Sequence, residues 1–294
     1  MRPEVTFVIP VFNKEEYLDQ CLESVLIQSF RTTEVICVND GSADRSGRIL
    51  DDVMRVDSRV RVIDNGRNLG AAESRNRGIK AATGRFIRFV DADDLLPLRS
   101  TEILYDRAVV TGSDVVRGSL ALFQRDDHAN LQSVVAVGDR AKTSFRAESS
   151  LWIPWWHTSY LISSDLIRAN NLTYPTLRLG EDPVFLASVL VSAQQISLVP
   201  DIVYLYRKYP KTSGSAASTF ADVEDTLKHA AIIKSLFTVY HRDCWDHGYG
   251  PFSLGHFQAF IARCQLDTVQ MELVASEAAK IWGPGVQLTI ADKP

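Results

Sequence analysis

Short apolar segments alternate with helix-like segments through the first hundred residues, and this alternation limits the fold more than any other feature of the sequence. The segments predicted as strands are residues 5–10, 34–39, 60–63 and 85–90. They are rich in β-branched residues, which is typical of buried parallel strands. The helices predicted between them follow Asn13, which can cap the first, and cover residues 44–56 and 71–82. This succession predicts right-handed crossovers and a mostly parallel sheet flanked by helices.

The rest of the chain continues the α/β pattern and then becomes helical. The further elements predicted are a helix over 100–110, strands over 114–123 and 196–206, a helix from 181 to about 193, and helices over about 221–241 and 252–276. Residues 125–150 are polar and give no clear pattern. We therefore predict an α/β fold with a helical C-terminal extension.

The composition narrows the classes of function. The 294 residues carry a net charge of −4 with scattered basic residues, so we expect no nucleic acid partner. The four cysteines lie far apart and none forms a CxxC pair, which argues against a zinc site or a disulfide framework. No apolar segment approaches the roughly 20 residues of a membrane span, and we expect no signal peptide. These features favour a cytoplasmic location.

An acidic segment, Asp91-Ala92-Asp93-Asp94, directly follows the fourth predicted strand. Ligands of open α/β sheets bind at the carboxyl ends of the strands. On an extended backbone Asp91 and Asp93 would point the same way and could face one cation, while Asp94 would face elsewhere. Mg²⁺ and Mn²⁺ prefer such oxygen ligands and complete their shells with water and substrate phosphates. The segment therefore suits a metal–diphosphate site, but it also suits an acidic turn that caps the next helix.

Seven sequence segments occur in a fixed order between residues 5 and 215. They are VTFVIPVFNKEEYLDQCLESVLIQSF, VICVNDGSADRSGRIL, NLGAAESRNRGIKAATG, FVDADDLLP and, more weakly, PWWHTSYLI, LGEDPVFLASVL and VYLYRKYPKTSGS. Together they resemble the family 2 inverting glycosyltransferases, which have the Rossmann-like GT-A fold. The resemblance implies a nucleotide-sugar-binding half over 1–100, an acceptor-binding half over 101–219 and a helical extension over 220–294.

The resemblance also implies which residues bind the nucleotide-sugar donor. They are Pro10, Val11, Phe12, Asn13, Asp40, Asn68, Gly70, Arg75, Asp91, Ala92, Asp94 and Arg207, with Asp91 and Asp93 holding the metal, Mn²⁺ or Mg²⁺. Asp40 would accept a hydrogen bond from the base, and Gly70 would allow close approach of the backbone. Arg75 would offer a guanidinium that matches phosphate, and Asp94 would lie near the donor sugar.

Each of these roles has a simpler structural alternative. Without the family, Asp40 is a turn-forming residue, and Arg75 lies on a solvated helix face. Without the family, Arg207 would belong to an exposed basic loop. In the family, Arg207 with Ser213 and Ser215 would form a late loop that closes over the diphosphate and offsets its charge.

The Glu181-Asp182 pair is the second acidic site. The residue types favour a helix start, with Asp182 as the N-cap and Pro183 as the first helical residue. The resemblance implies that Asp182 is the catalytic base and Glu181 an acceptor-side or orienting group. Both interpretations hold together, since a residue at a helix start is rigidly placed.

Three aromatic residues precede this pair and could form a platform for the acceptor. They are Trp155, Trp156 and His157. Aromatic faces suit sugar rings, although we expect at least two of the three to be core residues.

The mechanism implied by the resemblance is a single displacement that inverts the anomeric carbon. Asp182 would take the proton from an acceptor hydroxyl, and the metal at Asp91 and Asp93 would neutralise the leaving diphosphate. We further expect the repulsion among the acids to be relieved only by an arriving cation, so that the site is incomplete without metal and nucleotide together.

The substrates follow from the resemblance alone. UDP is the favoured nucleotide, with GDP and dTDP open, and the acceptor would be a glycan or lipid-linked glycan in polysaccharide assembly. Peripheral contact with the inner face of the cell membrane, or oligomer formation through the C-terminal helices, stays open.

Two other functions fit parts of the sequence. One is a catalytically silent module that binds a nucleotide or a sugar. The other is a nucleotidyltransferase, which is disfavoured because VFNKEE stands where a glycine-rich, basic phosphate loop would follow the first strand.

Overall fold

The structure is a computed structural model that describes residues 2–124, 127–208, 219–264 and 266–288. The chain divides into two compact units, each assembled from separate segments. The first unit comprises Met1–Ser144, Trp156–Tyr174 and Ser192–Pro210, and the second comprises Phe145–Trp155, Pro175–Val191 and Lys211–Pro294.

The strands of the first unit form one sheet. They are β1 (Val5–Val11), β2 (Thr33–Asn39), β3 (Val60–Asp64), β4 (Phe86–Phe89), β5 (Val115–Gln124), β6 (Asp127–Val135), β7 (Arg140–Thr143), β8 (Tyr160–Ser163) and β9 (Ile196–Lys208). Their order is β3-β2-β1-β4-β8-β5-β9-β7, with β6 paired to β5. β1 to β4 run parallel to one another, and β5 runs parallel to β9, whereas β6, β7 and β8 are antiparallel to the strands they pair with. The predicted α/β fold with a mostly parallel central sheet is confirmed.

Five helices accompany the sheet within the described part of this unit. They are α1 (Leu18–Leu26), α2 (Ser46–Val56), α3 (Ala71–Ala81), α4 (Ser100–Thr111) and α5 (Ser164–Ala169). The predicted apolar stripe of α1 is buried at Leu18, Cys21, Leu22 and Val25. α3 approaches β1 closely, since a β-carbon built on Gly78 would lie 2.3 Å from the Val8 side chain. The helices thus fix the loops at the strand ends.

Asn13 does not cap α1, which begins at Leu18 after Tyr17. The prediction is wrong because the neighbouring loop uses this side chain: Asn13 Oδ1 accepts the Ala43 N–H at 2.8 Å, and its backbone N–H donates to Ser42 Oγ at 3.1 Å. These bonds tie the end of β1 to the loop after β2.

The second unit is helical. Its helices are α6 (Glu181–Ser192), α7 (Phe220–Cys244), α8 (Gly250–Ile261) and α9 (Thr268–Trp282), with a π-helical turn, Trp245–Tyr249, between α7 and α8. The single helix predicted over 252–276 is wrong. Asp267 and Gln270 form a capping box that starts α9 as a separate helix.

The C-terminal helices share a core with earlier residues of the same unit. The ring centroids of Phe145 and Phe237 lie 4.9 Å apart, and those of Trp155 and Phe252 lie 5.2 Å apart. Residues 145–155 therefore pack on α7 and α8. Among the helices of the described residues, none combines the length and apolar character that crossing a bilayer requires.

Candidate functional site

A cavity of about 390 Å³ lies in the first unit, where the carboxyl ends of β1, β2 and β4 meet the end of β9. Its lining is Pro10, Val11, Phe12, Lys14, Asp40, Asn68, Gly70, Ala71, Arg75, Asp91, Ala92, Asp93, Asp94, Tyr206 and Arg207. The predicted donor and metal residues, apart from Asn13, are thus brought together around one space. Their binding roles stay predictions.

Asp40 is buried at the end of β2 and organises the loop before α3. Its Oδ1 accepts Asn65 Nδ2–H and the Leu69 N–H, both at 2.8 Å, and its Oδ2 accepts the Gly70 N–H at 2.9 Å. A carboxylate has about four acceptor positions. Three are filled by these bonds, so a base N–H would share Oδ2 with Gly70.

Two glycines shape this part of the cavity for different reasons. Gly41 has φ +72°, and a β-carbon there would lie 2.6 Å from the backbone of Arg67. Gly70 has φ +91° but open space around it, so its backbone conformation alone restricts the position. Only glycine at 41 lets the two loops lie this close.

Asp91 to Asp94 form a hydrogen-bonded turn, called here the acid turn, in which the Asp94 N–H donates to the Asp91 carbonyl at 3.0 Å. The extended backbone predicted for this segment is therefore wrong, whereas the shared metal at Asp91 and Asp93 stays a prediction. Instead Asp91 Oδ1 accepts a bond from Arg75 Nη2 at 2.9 Å, whereas Asp93 forms an ion pair with Lys14.

Two of the acids, Asp91 and Asp93, pair with cations of the chain itself. Arg75 is only 5% exposed, so it does not lie on a solvated helix face, and its guanidinium also lies 5.3 Å from the ring centroid of Tyr174. Lys14 comes from the segment after β1. The expectation that only an arriving cation relieves the repulsion is wrong for Asp91 and Asp93, because each already pairs with a cation of the chain.

Asp94 is the most deeply buried acid of the turn, at 2% exposure. The Tyr204 hydroxyl donates to Oδ2 and the Arg207 backbone N–H donates to Oδ1, both at 2.7 Å. Burial, followed by the charges of Asp91 and Asp93, raises the pKa of Asp94 well above its ordinary value. Burial and these neighbouring charges therefore disfavour the charged form of this carboxyl group.

Arg207 lies within β9 and is 1% exposed, so the exposed-loop interpretation is wrong. Its Nε donates to the Asp93 carbonyl at 2.6 Å and its Nη2 to Gln20 Oε1 at 2.8 Å. The guanidinium also lies over the rings of Tyr17 and Phe123, at 4.6 and 4.8 Å. Arg207 therefore holds the backbone of the acid turn.

His157 does not offer a face to an acceptor sugar. It is buried, with ring centroids 5.6 Å from Phe89 and 5.7 Å from Tyr174. Trp156 is partly buried against the hydrophobic core of the sheet, and Trp155 packs on α8 in the second unit. The expectation that at least two of the three are packing residues fits these positions.

The second acidic pair begins α6 in the second unit. The helix starts at Glu181, so Asp182 is its second residue rather than its N-cap, and Pro183 its third. The correction arises because Gly180, with φ +87°, makes the turn into the helix. Both carboxylates lie in the first turn, where the helix dipole favours negative charge.

Sequence reasoning missed three cavity residues: Lys14, Ala71 and Tyr206. Lys14 lies in the segment just after β1, which ends at Val11, and its position near a strand end was a usable signal. Tyr206 directly precedes the predicted Arg207 in the sequence and lines the cavity beside it. The predicted loop residues Ser213 and Ser215 lie outside the described residues.

Comparison with known proteins gives a consistent group of relatives. Residues 6–160 match the family model described as Glycosyl transferase family 2. The chain is 30% identical over 252 residues to glycosyltransferase GlyG of Streptococcus pneumoniae serotype 4, covering 82% of this chain and 80% of GlyG. The chain therefore spans 80% of the length of GlyG, but only 63% and 30% of the lengths of two other curated glycosyltransferases that it matches.

Solved structures share the fold. S. aureus TarS 1-349 in complex with UDP-GlcNAc matches with a TM-score of 0.67 at 18% identity, covering 95% of this chain and 89% of TarS 1-349. Mannosyltransferase PcManGT from Pyrobaculum calidifontis, in complex with GDP-Man and Mn²⁺, matches with a TM-score of 0.57 at 20% identity, covering 95% and 81%.

Proposed function

Because this chain belongs to glycosyltransferase family 2 and has the GT-A fold, we propose that it transfers a sugar, with inversion, from a nucleotide diphosphate to a hydroxyl of a glycan or lipid-linked glycan. The observation that carries the proposal is the cavity at the strand ends, which gathers Asp40, Arg75 and the acid turn. A UDP-sugar is the favoured donor, and Asp40 Oδ2 keeps an acceptor position that suits an imide N–H such as that of uracil.

A divalent cation fits the acid turn. Asp91 and Asp93 both line the cavity and offer hard oxygen ligands, and Mg²⁺ commonly takes only one or two carboxylates beside substrate phosphates. No cluster of three or more acidic, histidine or cysteine ligands occurs among the described residues, so substrate oxygens would have to complete the shell. Bound there, Mn²⁺ or Mg²⁺ would supply positive charge to the leaving diphosphate.

The chain's own residues carry the rest of the proposed chemistry. Arg75 and Lys14 add positive charge at the cavity wall, where a diphosphate needs it. Arg207 and Tyr204 keep the acid turn in place. Asp182 takes the proton of the acceptor hydroxyl, which makes that oxygen a nucleophile, and Glu181 orients the acceptor. The chain works in the cytoplasm, with the acceptor at the membrane surface.

Thermal unfolding with nucleotides tests donor binding. UDP, GDP and dTDP are each added with Mn²⁺, with Mg²⁺ and with EDTA, and saturation at 100 times Kd stabilises the native state by about 2.7 kcal/mol. We expect the largest shift with UDP and metal. No shift with any nucleotide would favour the silent module instead.

Turnover separates an enzyme from a binding module. We expect wild type to release UDP from one member of a UDP-sugar panel, and Asp182→Asn to bind UDP normally but to lose this release by a factor of about 100 or more. Equal release by both proteins would remove Asp182 from the mechanism.

A further inference from the structure

The segment directly before the acidic pair of α6 is attached to α7. This entry segment comprises Arg178, Leu179 and Gly180. The Arg178 backbone N–H donates to Asp225 Oδ2 at 2.8 Å, and Arg178 Nη2 lies 3.5 Å from Asp222 Oδ1. Both the backbone and the side chain of one residue are therefore held by the same helix.

His229 holds the other end of the entry segment. A β-carbon built on Gly180 would lie 2.1 Å from His229 Nδ1 and 2.4 Å from its Cγ, so the imidazole rests against the Gly180 backbone. Gly180 also has φ +87°, which side chains rarely allow. Two independent restraints, the ring and the backbone conformation, thus fix the last residue before Glu181.

The three α7 residues share one face of the helix. Asp222, Asp225 and His229 are spaced by three and four positions, which places them one above another. Asp225 is buried at 8% exposure, and its second oxygen accepts a bond from Lys228 Nζ at 3.1 Å. Burial lowers the pKa of His229 to about 4, so near neutral pH its ring packs as an uncharged surface.

We propose that this face of α7 is a positioning device for the Glu181-Asp182 pair. By fixing the entry segment it sets the direction in which the first turn of α6 presents its carboxylates. The C-terminal helices then contribute to turnover without touching substrate, and Asp225 and His229 are positioning residues. The catalytic consequence rests on the proposed role of Asp182, whereas the mechanical part does not.

Amide hydrogen exchange tests the mechanical part without any substrate. We expect Asp225→Leu and His229→Ala to speed amide exchange in residues 178–184 by about tenfold or more. The entry segment then opens more easily, because opening no longer requires its contacts with Asp225 or His229 to break. Asp225→Asn, which keeps an acceptor for the Arg178 N–H, should stay near wild type. Unchanged exchange in both disruptive variants would overturn the proposal.

UDP release from the best UDP-sugar, with water as acceptor, tests the catalytic part. The disruptive variants should lose kcat by about 10- to 100-fold, because small misplacements of reacting groups are costly, while KM and the Kd for UDP stay within about twofold. Ile233→Ala is the control. It opens a cavity at a buried position one turn further along α7 and should lower Tm without this selective loss of kcat. A kcat loss in Ile233→Ala that matches the others would overturn the proposal.

A double-mutant cycle isolates the contact itself. Gly180→Ala forces a methyl group into the His229 ring, so adding His229→Ala should restore part of the lost Tm and kcat. If the losses of Gly180→Ala and His229→Ala simply added in the double variant, the contact between these two residues would be contradicted. Wild type that releases no UDP would refute the proposed function, yet exchange and the Tm cycle would still decide the mechanical part.

Discussion

Arg75 Nη2 donates to Asp91 Oδ1 over 2.9 Å, and this bond joins the first turns of α3 to the acid turn. The Arg75 side chain is 6% exposed and that of Asp91 is 29% exposed. A guanidinium this deeply buried needs partners that balance its charge, because burial removes its contact with water. The pair therefore connects the stability of the fold to the cavity.

Replacing Arg75 by methionine should lower the free energy of unfolding by about 1–3 kcal/mol, since a partly buried carboxylate loses its charged donor. UDP affinity should fall as well. Urea unfolding and calorimetry measure the two effects. Lys80→Met, an exposed change on the same helix, is the control and should stay within about 0.5 kcal/mol. Equal effects of both variants would contradict the structural role of the pair.

Gly41 and Gly66 offer a matched comparison, because their φ angles are +72° and +71°. A β-carbon at 41 would collide with the Arg67 backbone, whereas one at 66 would meet nothing within 4 Å. Both alanine variants carry backbone strain of about 1 kcal/mol. Gly41→Ala should cost about 1–2 kcal/mol more, as overpacking typically does, and should weaken UDP binding, as unfolding and calorimetry would show. Equal losses of stability in the two alanine variants would mean that the loops containing Gly41 and Arg67 separate easily.

Lys14 and a divalent cation should compete for Asp93. Lys14→Met removes the ion pair, so Mn²⁺ should bind about twofold to fivefold more tightly in the presence of UDP, in line with a partly exposed pair. Binding of UDP without metal should weaken, because the cavity loses a cation. Mn²⁺ electron paramagnetic resonance gives the affinity. Lys14→Arg keeps the charge and should resemble wild type, and an unchanged Mn²⁺ affinity in Lys14→Met would argue against competition.

Asp94 should make stability fall with rising pH. Its pKa is raised in the folded chain, whereas in the unfolded chain the carboxyl group titrates near pH 3.9. The folded state thus binds more protons, and the contribution of Asp94 is full below about pH 3.9 and lost as pH rises through the folded pKa. Asp94→Asn cannot ionise and keeps an acceptor for the Arg207 N–H, so its stability relative to wild type should increase with pH.

Urea unfolding between about pH 3 and pH 9 checks this sign, with the Asp94 effect in the upper part of the range and the Asp57 effect at its acidic end. Asp57→Asn gives the opposite case, because the bond from Arg59 lowers the pKa of Asp57 and its stabilisation is lost as pH falls. If the free energy of unfolding changed with pH in the same way for Asp94→Asn and wild type, the raised pKa of Asp94 would be contradicted.

The sheet could be predicted from the sequence because its strands carry a strong local signal. β1 and β2 have apolar centres and are buried along nearly their whole length, as is typical of parallel strands covered on both faces. The site could be placed for the same reason, since Asp40 and Asp91 follow strand ends that topology brings to one edge.

The partners of the site residues could not be predicted, because they come from distant parts of the chain. The burial of Arg75 depends on Tyr174, and that of Arg207 on Tyr17 and Phe123. The geometry of the acid turn was missed because the extended backbone of β4 already ends at Phe89.

The acid turn also decides when this cavity can form during synthesis. Asp94 is held by Tyr204 and Arg207, which follow it by 110 and 113 positions. At translation rates of about 5–20 residues per second, the turn waits roughly 5–20 s for these partners. Residues 1–100 by themselves therefore lack two partners that hold Asp94. The bonds of the acid turn thus join residues that lie far apart in the sequence, which is the meaning of high contact order. A nascent chain that ends before β9 contains Asp91 to Asp94 without the strand that holds this turn.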